Sequence, residues 1–384
     1  MEWKEVRLGD VCSELSDGLH KAPKFIEKGE YIFVNAKNLY NGYILDNDPT
    51  KKTSREEYLK YKKPLGKHTI LYSIDGTIGN IARYRGEKCV LGKGACYLNC
   101  NPQIVESSYL YYQLQGPHFK SYIHLMSTGS TIKHISLKTM REYVFELPSL
   151  TDQRRIASIL SSLDRKIELN NKINADLEEM AQAIFKNWFV DFEPFKDGKF
   201  VDSELGMIPE GWKVGTLGEL CNFKRGKNLL TKNAIDEGIP VVAGGLEPSC
   251  YHNVANTGAP VITVSGSGAN AGFMRMYHVP VWASDCSFID ISCENFYFVY
   301  CFLKVNSKLL KHAQTGAVQP HVKPSDIHDF ELVIPDKESI YDFQDKVKPF
   351  FDKIALIQKE NSRLSLLRDT LLPRLMSGEL EVPE

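Results

Sequence analysis

Two long stretches of the 384-residue chain carry apolar side chains at alternating steps of three and four residues. The first covers residues 151–189, and the second repeats it about 187 positions later. The positions that follow this spacing in the first stretch are Ile156, Leu160, Leu163, Ile167, Asn170, Asn174, Leu177, Ala181, Ile184 and Trp188. Those in the second stretch are Phe343, Val347, Phe350, Ile354, Ile357, Asn361, Leu364, Arg368, Leu371 and Leu375. A period of about 3.5 residues predicts long helices with partner helices. Because each seam is too apolar to face water, we expect the two helices to pack on each other.

Polar residues inside the seams support this prediction. The alternative is an ordinary amphipathic core helix, which usually has a wider apolar stripe and rarely keeps phase over so many turns. A buried Asn in a coiled-coil seam costs stability and fixes the register of the helices. Asn174 aligns with Asn361 when the two stretches are superposed, so these side chains are the candidates for that role.

The segments that flank the two seams also recur. Each copy begins with a Trp-containing segment, passes a Thr-Gly pair followed by a His, and reaches its seam after an apolar run that ends in Pro. This sparse duplication predicts two copies of one unit, a globular domain followed by a long helix, with domain interiors that differ in sequence. The recurring pairs are 3–12 with 212–221, 128–134 with 315–321, and 145–148 with 332–335.

The predicted fold class is α+β, with two mixed, mostly β domains joined by two long helices. Antiparallel helices would form a coiled coil and give the duplicated chain pseudo-twofold symmetry. Short apolar runs between Gly, Asn and Asp turns predict strands, and longer periodic runs predict helices. The strands are expected at 31–34, 69–72, 143–147, 240–243 and 259–264, and the helices at 108–114, 118–125 and 296–305. The expected segments are 1–150 (first domain with its Trp segment), 151–190 (central helix), 191–211 (linker), 212–336 (second domain) and 337–384 (second helix and tail).

Charge is unevenly distributed, although the net charge is −1. Residues 13–148 hold 19 Lys and Arg against 13 Asp and Glu, whereas residues 222–335 hold nine of each. The basic excess favours a polyanionic partner for the first domain without deciding it. Two-fold proteins bind two-part DNA sites, and two domains with different interiors would read two different half-sites.

Cysteine usage and hydropathy predict a cytoplasmic protein. No stretch reaches the roughly 18 apolar residues of a membrane helix, and the first residues lack an apolar signal region. The chain has nine Cys, none of them in a Cys-x-x-Cys motif. Free thiols in a reducing compartment are therefore expected, and a zinc site is not.

Polar loops containing glycine follow one predicted strand in each domain, at 75–80 and 265–272. Gly allows close backbone approach, and Ser, Thr and Asn can bond to phosphates or base edges. Neither loop is a nucleotide cradle, because both lack Gly-Lys-(Ser/Thr) and a Gly-x-Gly-x-x-Gly ahead of a periodic helix. DNA contact and a plain tight turn both remain open for these loops and for the two Thr-Gly pairs.

Basic and amide side chains also cluster near the start of each domain. Arg and Lys bind guanine or phosphate, and Asn binds adenine, although most such surface residues are simply solvated. The runs 51–52 and 60–63 are interpreted as a solvated face or as non-specific phosphate contacts. The candidate DNA-binding residues are Lys21, Lys24, Asn35, Lys37, Asn38, Ser73, Asp75, Thr77, Asn80, Arg83, Thr128, Ser130, Thr131, Lys133, Lys224, Arg225, Lys227, Ser265, Ser267, Asn270, Thr315, Gln319 and Lys323.

Catalytic motifs are missing from the sequence. The segment 101–104 (NPQI) is not the Asn/Asp-Pro-Pro-aromatic loop of a DNA amino-methyltransferase, and 197–199 (DGK) lacks the upstream Pro-Asp of a nuclease site. His134 and His321 have no second ligand at a fixed spacing, so structural roles are favoured over metal binding. We expect neither a catalytic nor a metal site.

Several motifs, in this order and duplicated, resemble one known family. They are 202–206 (DSELG) with 208–212 (IPEGW), the paired Thr-Gly loops, Pro148 followed by 153–157 (QRRIA), and 371–380 (LLPRLMSGEL). Over essentially the whole chain, this pattern is similar to the specificity (S) subunits of type I restriction–modification systems.

The resemblance implies two target-recognition domains, each reading one half of a bipartite, asymmetric target in double-stranded DNA, with the coiled coil as spacer. It implies a non-catalytic subunit that holds two methyltransferase (M) subunits and, in the larger complex, restriction (R) subunits. S-adenosylmethionine would belong to the M subunits, Mg²⁺ and ATP to the R subunits, and no cofactor to this chain. The second helix begins with 338–341 (ESIY) instead of QRRIA, which leaves the equivalence of the two M contacts open.

Two other functions stay open. One is an assembly protein whose β-rich domains bind protein partners, although the polar Gly loops and the basic first domain argue against it. The other is the recognition subunit of a related type II complex that cuts on both sides of a bipartite site. The sequence cannot separate this from type I, because the difference lies in the nuclease of the partner.

Overall fold

The computed structural model describes residues 3–47, 50–129, 133–314 and 320–382. The chain divides into two compact units, Met1–Glu168 with Asn361–Glu384, and Leu169–Glu360. The division runs through both long helices, so each unit contains one globular domain and one half of each helix. The segments predicted from the sequence instead treat each helix as a separate piece.

The first unit is built mostly from short strands. Its strands are β1 (Lys4–Arg7), β2 (Cys12–Asp17), β3 (Phe25–Ile26), β4 (Tyr31–Val34), β5 (Leu39–Tyr40), β6 (Tyr43–Ile44), β7 (Lys52–Thr53), β8 (Thr69–Ser73), β9 (Ile81–Arg83), β10 (Cys89–Leu91), β11 (Ala95–Cys100) and β12 (Val144–Leu147). Its helices are α1 (Arg55–Tyr61), α2 (Ser107–Gln113), α3 (Pro117–Met126), α4 (Leu137–Glu142) and the first half of α5 (Leu150–Phe189).

A four-stranded antiparallel sheet, β2-β11-β8-β9, forms the centre of the first domain. β8 is buried along its whole length, as its sequence TILYS between two neighbouring strands requires. A second sheet, β10-β4-β7-β3, contains the parallel pair β10 and β4, and a separate ribbon pairs β1 with β12. Tyr72 of β8 and Tyr109 of α2 lie in the core beneath the central sheet.

The second unit repeats this architecture. Its strands are β13 (Phe200–Val201), β14 (Ile208–Pro209), β15 (Lys213–Thr216), β16 (Lys224–Arg225), β17 (Ile239–Val242), β18 (Cys250–His252), β19 (Val261–Ser265), β20 (Met274–Tyr277), β21 (Trp282–Ala283), β22 (Cys286–Asp290) and β23 (Glu331–Ile334). Its helices are α6 (Phe296–Val305), α7 (Ser307–His312), α8 (Pro324–His328), the second half of α5 and the first half of α9 (Lys337–Met376).

The central sheet of the second domain, β16-β22-β19-β20, matches that of the first strand for strand. β17 and β21 form the parallel pair that β4 and β10 form in the first domain, and β15 pairs with β23 as β1 pairs with β12. The sequence repeat is confined to the flanks of the domains, whereas the structural repeat extends through their interiors.

Within each unit the two helical halves pack antiparallel, as predicted. In the first unit Leu160 of α5 and Leu375 of α9 share one core. In the second unit the rings of Phe185 and Phe343 lie 5.7 Å apart. Side chains cap both helix starts: Ser149 Oγ accepts a hydrogen bond from the backbone of the first turn of α5, and an Asp carboxylate does the same for α9. The ends of α5 lie one residue from those predicted.

All the predicted seam positions are buried or half-buried. Among them, Leu160, Val347 and Ile354 are buried. The central positions Leu163, Ile167, Asn174, Leu177, Phe350, Asn361 and Leu364 are half-buried.

One polar contact of the seam involves Asn170, one helical turn before Asn174. Asn170 is 1% exposed, and its Nδ2 donates to Glu360 Oε2 at 2.8 Å. Asn174 Oδ1 is buried and has no hydrogen-bond partner among the described residues. A register-fixing role for Asn174 and Asn361 therefore stays a prediction, and Asn170 is a third candidate.

Candidate nucleic-acid interface

The two polar loops that stand out in the sequence of the first domain meet in the structure. The loop after β8 runs beside the segment that precedes α4. Gly76 N donates to Lys133 O at 3.0 Å, and Ile135 N donates to Ile74 O at 2.9 Å. The Gly loop and the Thr-Gly segment thus form one surface at the end of the central sheet.

The second domain makes the same pair of backbone contacts. The loop after β19 runs beside the segment that precedes α8. Gly268 N donates to Pro320 O at 3.1 Å, and Val322 N donates to Gly266 O at 3.1 Å. The duplicated motifs therefore mark one backbone framework that the chain builds twice.

An Asn side chain ties a third segment to this surface in each domain. Asn80 Nδ2 donates to Ala36 O at 2.9 Å, and Asn270 Nδ2 donates to Gly244 O at 3.3 Å. Ala36 and Gly244 are equivalent, because each lies two residues after a strand of the parallel pair. Each of these Asn side chains therefore uses one hydrogen bond to hold the loops together.

Two more segments of each domain join this surface. One follows the edge strand of the central sheet, and its backbone packs closely against the other, a turn. Gly18 and Gly226 each follow the edge strand of the central sheet, β2 or β16. A Cβ at Gly18 would lie 2.3 Å from Leu91 O, and a Cβ at Gly226 would lie 2.2 Å from Ser284 O. Only Gly fits such an approach.

We call the converging segments recognition loops: 18–21, 35–37, 75–80, 92–94 and 133–135 in the first domain, and 226–228, 243–245, 266–272, 283–285 and 320–322 in the second.

Hydrogen-bonded side chains of different chemistry lie within and beside the two sets of recognition loops. In the first domain His134 Nδ1 bonds to Asp75 Oδ1. In the second domain Asp285 bonds through one oxygen to Arg225 and through the other to Ser267. The framework thus carries an imidazole at the same position in both domains, His134 and His321, and the second domain adds the guanidinium of Arg225.

The structure leaves many of the predicted DNA-binding residues open to solvent, and most of them lie in or beside the recognition loops. The exposed ones are Lys21, Lys24, Lys37, Thr77, Thr128, Lys133, Lys224, Arg225, Lys227 and Lys323, and the half-buried ones are Asn35, Asp75, Asn80, Arg83, Ser267 and Asn270. Ser130, Thr131, Thr315 and Gln319 lie outside the described residues.

Asn38 has a structural role that the sequence did not reveal. Its side chain is 1% exposed. Oδ1 accepts from Asn35 N at 3.0 Å, and Nδ2 donates to Leu45 O and to Thr50 Oγ1. A buried amide with these partners is not available to DNA, so its assignment as a contact residue is corrected.

Ser73 and Ser265 are corrected for the same reason. Both end a central strand and are buried. Ser73 Oγ donates to Thr77 O at 2.6 Å, and Ser265 Oγ donates to Gly244 O at 3.2 Å. These hydroxyls hold the recognition loops in place from beneath.

Arg83 and Lys24 belong to other surfaces. The guanidinium carbon of Arg83 lies 3.9 Å from the centre of the Tyr111 ring on α2. The backbone N of Lys24 donates to Glu57 of α1 at 2.8 Å. Neither residue lies in the recognition loops, although both occur near polar motifs in the sequence.

Lys93 and Asp285 join the recognition loops without having been singled out in the sequence. Both lie in the turn before the strand β11 or β22, and Lys93 is exposed. The pattern Gly-Lys-Gly at 92–94 is a signal that could have marked the first of them. Asp285 carries no such signal, because its partners come from two distant segments.

The basic excess of the first domain has a local origin. Residues 51–67 contain seven of its Lys and Arg and two of its Asp and Glu. They surround α1, which leads into the start of β8, whereas the recognition loops follow the end of β8. The excess basic residues of the first domain therefore cluster away from the recognition loops, and the net charge of the domain gives little support for DNA contact at those loops.

The described residues contain no group of three or more His, Cys, Asp and Glu placed to hold a metal ion. Among the same residues, no helix combines the length and apolar character needed to cross a membrane. All nine Cys are free thiols. Cys286, next to Asp285, is a poor nucleophile, because burial raises the pKa of its thiol to about 12.

Comparisons with known proteins agree with the duplicated architecture. The family model for the type I restriction modification DNA specificity domain matches residues 1–179 and 209–366. The chain is 31% identical to the type I restriction enzyme MjaIX specificity subunit of Methanocaldococcus jannaschii, over 100% of this chain and 94% of that protein. It is 25% identical to the HindI specificity subunit of Haemophilus influenzae, over 99% of this chain and 100% of that protein.

A solved structure shows the same fold. The crystal structure of the type I restriction–modification S subunit from M. genitalium superposes with a TM-score of 0.57 at 20% sequence identity, covering 98% of this chain and 96% of that one.

The fold and the paired loops define a protein with two DNA-specificity domains on long helices. The chain belongs to the family of type I restriction–modification specificity subunits. This confirms the resemblance found in the sequence and the non-catalytic role that it implied.

Proposed function

We propose that each set of recognition loops reads one half of a bipartite, asymmetric target in double-stranded DNA. The observation that carries this proposal is the backbone framework built twice with different exposed side chains, Lys37 and Lys133 in one copy and Arg225 and Lys227 in the other. The backbone framework would fix the same docking geometry at both half-sites, while the side chains would select different bases. The long helices set the number of unspecified base pairs between the half-sites.

The chain also serves as the platform for two M subunits and, in the larger complex, for R subunits. Apolar side chains on the outer surfaces of the helices support this role. Leu169 and Leu356 are 53% and 65% exposed in the second unit, and Leu366 is 69% exposed in the first. Exposed apolar side chains on these helices are available for contact with a partner protein.

The segments 202–212 and 372–379 are further candidates for contact with the M subunits, because they recur in both halves of the chain, but part of each is internal. Trp212 is 7% exposed and its Nε1 donates to Asp336 at 2.8 Å, and Leu375 is 1% exposed. The motifs 202–212 and 372–379 therefore stabilise each unit, and partner contact is left to exposed members such as Met207, which is 54% exposed.

The cofactors of the complex are assigned to the partner subunits. S-adenosylmethionine belongs to the M subunits, and Mg²⁺ and ATP belong to the R subunits. The free thiols suit a reducing cytoplasm, which is where the DNA of a bacterial or archaeal cell lies.

Sequencing of methylated adenines tests the proposal. The chain is expressed with its M subunit in a host that lacks other adenine methylation. We expect a split motif with two unlike halves separated by unspecified bases. Methylation without a split motif would contradict the proposal.

A gel shift across salt concentrations supplies an independent test. Binding to DNA should weaken steeply with added salt, because phosphate contacts release counterions. A complex that assembles fully and shows no salt-dependent DNA binding would favour the assembly-protein alternative.

A further inference from the structure

One carboxylate organises the recognition loops of the second domain. Arg225 Nη2 bonds to Asp285 Oδ1, and Ser267 Oγ donates to Asp285 Oδ2. Arg225 ends β16, Ser267 lies in the loop after β19, and Asp285 lies in the turn before β22. Three segments that are distant in sequence therefore converge on the position of one guanidinium group.

Gly266 reserves the space that this guanidinium occupies. A Cβ at Gly266 would lie 2.1 Å from Arg225 Nη1 and 2.9 Å from its Cζ. Any larger residue would displace the arginine head group. Asp285 on one side and the backbone of Gly266 on the other thus hold Arg225 in a defined orientation.

The held guanidinium is still open to a ligand. The Arg225 side chain is 46% exposed and that of Asp285 is 31% exposed. Arg carries five N–H donors, and Asp285 accepts from one of its nitrogens. An ion pair as exposed as this contributes little to folding, so stability alone is a weak reason for the arrangement.

We propose that Arg225 reads a guanine in the half-site of the second domain and that Asp285 is the positioning residue that orients it. This inference rests on the proposed function. Arg recognises guanine by donating two parallel hydrogen bonds to O6 and N7 in the major groove. Holding the side chain in place beforehand reduces the conformational entropy lost on binding.

The first domain lacks this device. Asp17 ends β2 as Arg225 ends β16, and its Oδ2 lies 2.9 Å from His20 Nε2. Gly94 stands where Asp285 stands in the second domain, one residue before the strand that comes last in chain order in the central sheet. The guanine contact is therefore confined to one half-site, which adds to the asymmetry of the target.

The Arg225→Lys variant of the full chain, in complex with the M subunit, tests the proposal. Lys keeps the positive charge but cannot form the two parallel bonds. Once the wild-type target is known, we expect discrimination to fall by about ten- to a hundred-fold at one guanine of one half-site. Asp285→Asn should weaken discrimination at the same guanine, because the guanidinium loses its orienting charge.

The neighbouring Lys224→Ala variant is the matched control. Lys224 is exposed and lies one residue earlier on β16. Its loss should lower the affinity for all sequences alike and leave the motif unchanged.

A further test uses only the wild-type complex, so it does not depend on whether a variant folds. Each guanine of the target DNA is replaced in turn with 7-deazaguanine, which lacks the N7 acceptor. Binding should fall at one guanine of the second domain's half-site. Two results would overturn this inference alone, provided that the complex is sequence-specific. One is that 7-deazaguanine is tolerated at every position, and the other is that the Arg225→Lys variant keeps the wild-type motif. A wild-type complex with no sequence preference would overturn the proposed function as well.

Discussion

Arg368 of α9 pairs with Asp164 of α5 inside the first unit, with 2.9 Å between Nη1 and Oδ1. The other oxygen of Asp164 accepts a hydrogen bond from Tyr112 OH at 2.5 Å. Because Tyr112 belongs to α2, one carboxylate joins the first domain to both long helices. The contact also explains why a charged residue occupies the seam position that Ala181 holds in the first repeat.

Replacing Arg368 with Met should destabilise the first unit. The change keeps much of the side-chain volume but leaves the half-buried Asp164 without its cation. We expect the free energy of unfolding in urea to fall by about 1–3 kcal/mol. Arg363→Met, at an exposed site on the same helix, should change it by less than about 0.5 kcal/mol. Equal effects of the two changes would show that the ion pair contributes nothing specific.

The sequence predicted best those features that follow from local runs and repeats of apolar residues. The strand at 31–34 and the helix at 296–305 have the predicted bounds, and α5 is displaced by one residue. The first two of these elements are continuous apolar runs that are buried almost throughout, and such runs between turn residues are visible in the sequence without knowledge of distant contacts. The seams carry a periodic signal instead, and their predicted positions are buried or half-buried.

The candidate site was less predictable because its geometry depends on contacts between distant segments. The loop containing Asp75 meets His134, 59 residues later. Asn38 looked like a DNA contact because Asn occurs both at base edges and in buried turns, and only its three partners decide between them. Asp285 gave no signal at all, because its role is defined by Arg225 and Ser267.

The second long helix has no Gln at the position of Gln153, but a Gln one turn later makes a similar contact. Gln153 Oε1 accepts from Glu106 N at 2.8 Å, next to the start of α2. In the second unit Gln344 Oε1 accepts from Tyr297 N at 3.0 Å, in the first turn of α6. Gln153 is thus used within its own unit, so the absence of Gln at position 340 is not evidence against the equivalence of the two M contacts that we propose.

Gln153→Ala should therefore destabilise the first unit strongly. Gln153 is 1% exposed, and its Nε2 donates to Pro148 O and to Ile104 O. Loss of three hydrogen bonds should lower the free energy of unfolding by about 2–4 kcal/mol. Gln344→Ala, at a less buried site, should cost about 1–2 kcal/mol. Urea denaturation measures both, and a larger effect of Gln344→Ala would contradict this account.

Stability should depend on pH through His278. Burial lowers the pKa of this imidazole from its ordinary value near 6.5, although Asp352 and Glu178 act in the opposite direction. The unfolded chain then binds a proton more readily than the folded one. The contribution of the neutral His278 is complete above about pH 6.5 and is lost as the pH falls towards the lower folded pKa.

Thermal unfolding between pH 8 and pH 5 checks this. His278→Gln should flatten the fall in melting temperature below pH 6.5, whereas the exposed His312→Gln should not. Identical profiles for His278→Gln and the wild type would show that another group controls the acid sensitivity.

Lys133→Ala should weaken binding to all DNA sequences alike. Lys133 is exposed in the recognition loops, where its backbone carbonyl is held by Gly76. A phosphate contact predicts that the slope of log affinity against log salt decreases by about one in magnitude. Lys138→Ala, on the neighbouring α4, should leave the slope unchanged. A loss confined to one target base would instead identify Lys133 as a base contact.

The long helices should act as a ruler. Inserting seven residues after Glu168 and seven after Glu360 keeps the heptad phase of both helices. Each helix then grows by about 10 Å at about 1.5 Å per residue. With base pairs about 3.4 Å apart, the unspecified spacer of the methylated motif should lengthen by about three base pairs.

The same insertion in α5 alone provides the control for this ruler. It shifts the register of α5 against α9, so contacts such as Phe185 with Phe343 and Asp164 with Arg368 cannot form together. We expect this variant to lose methylation, because at most one unit can pack correctly. Methylation with the original spacing in the doubly extended variant would show that the helices do not set the distance between half-sites.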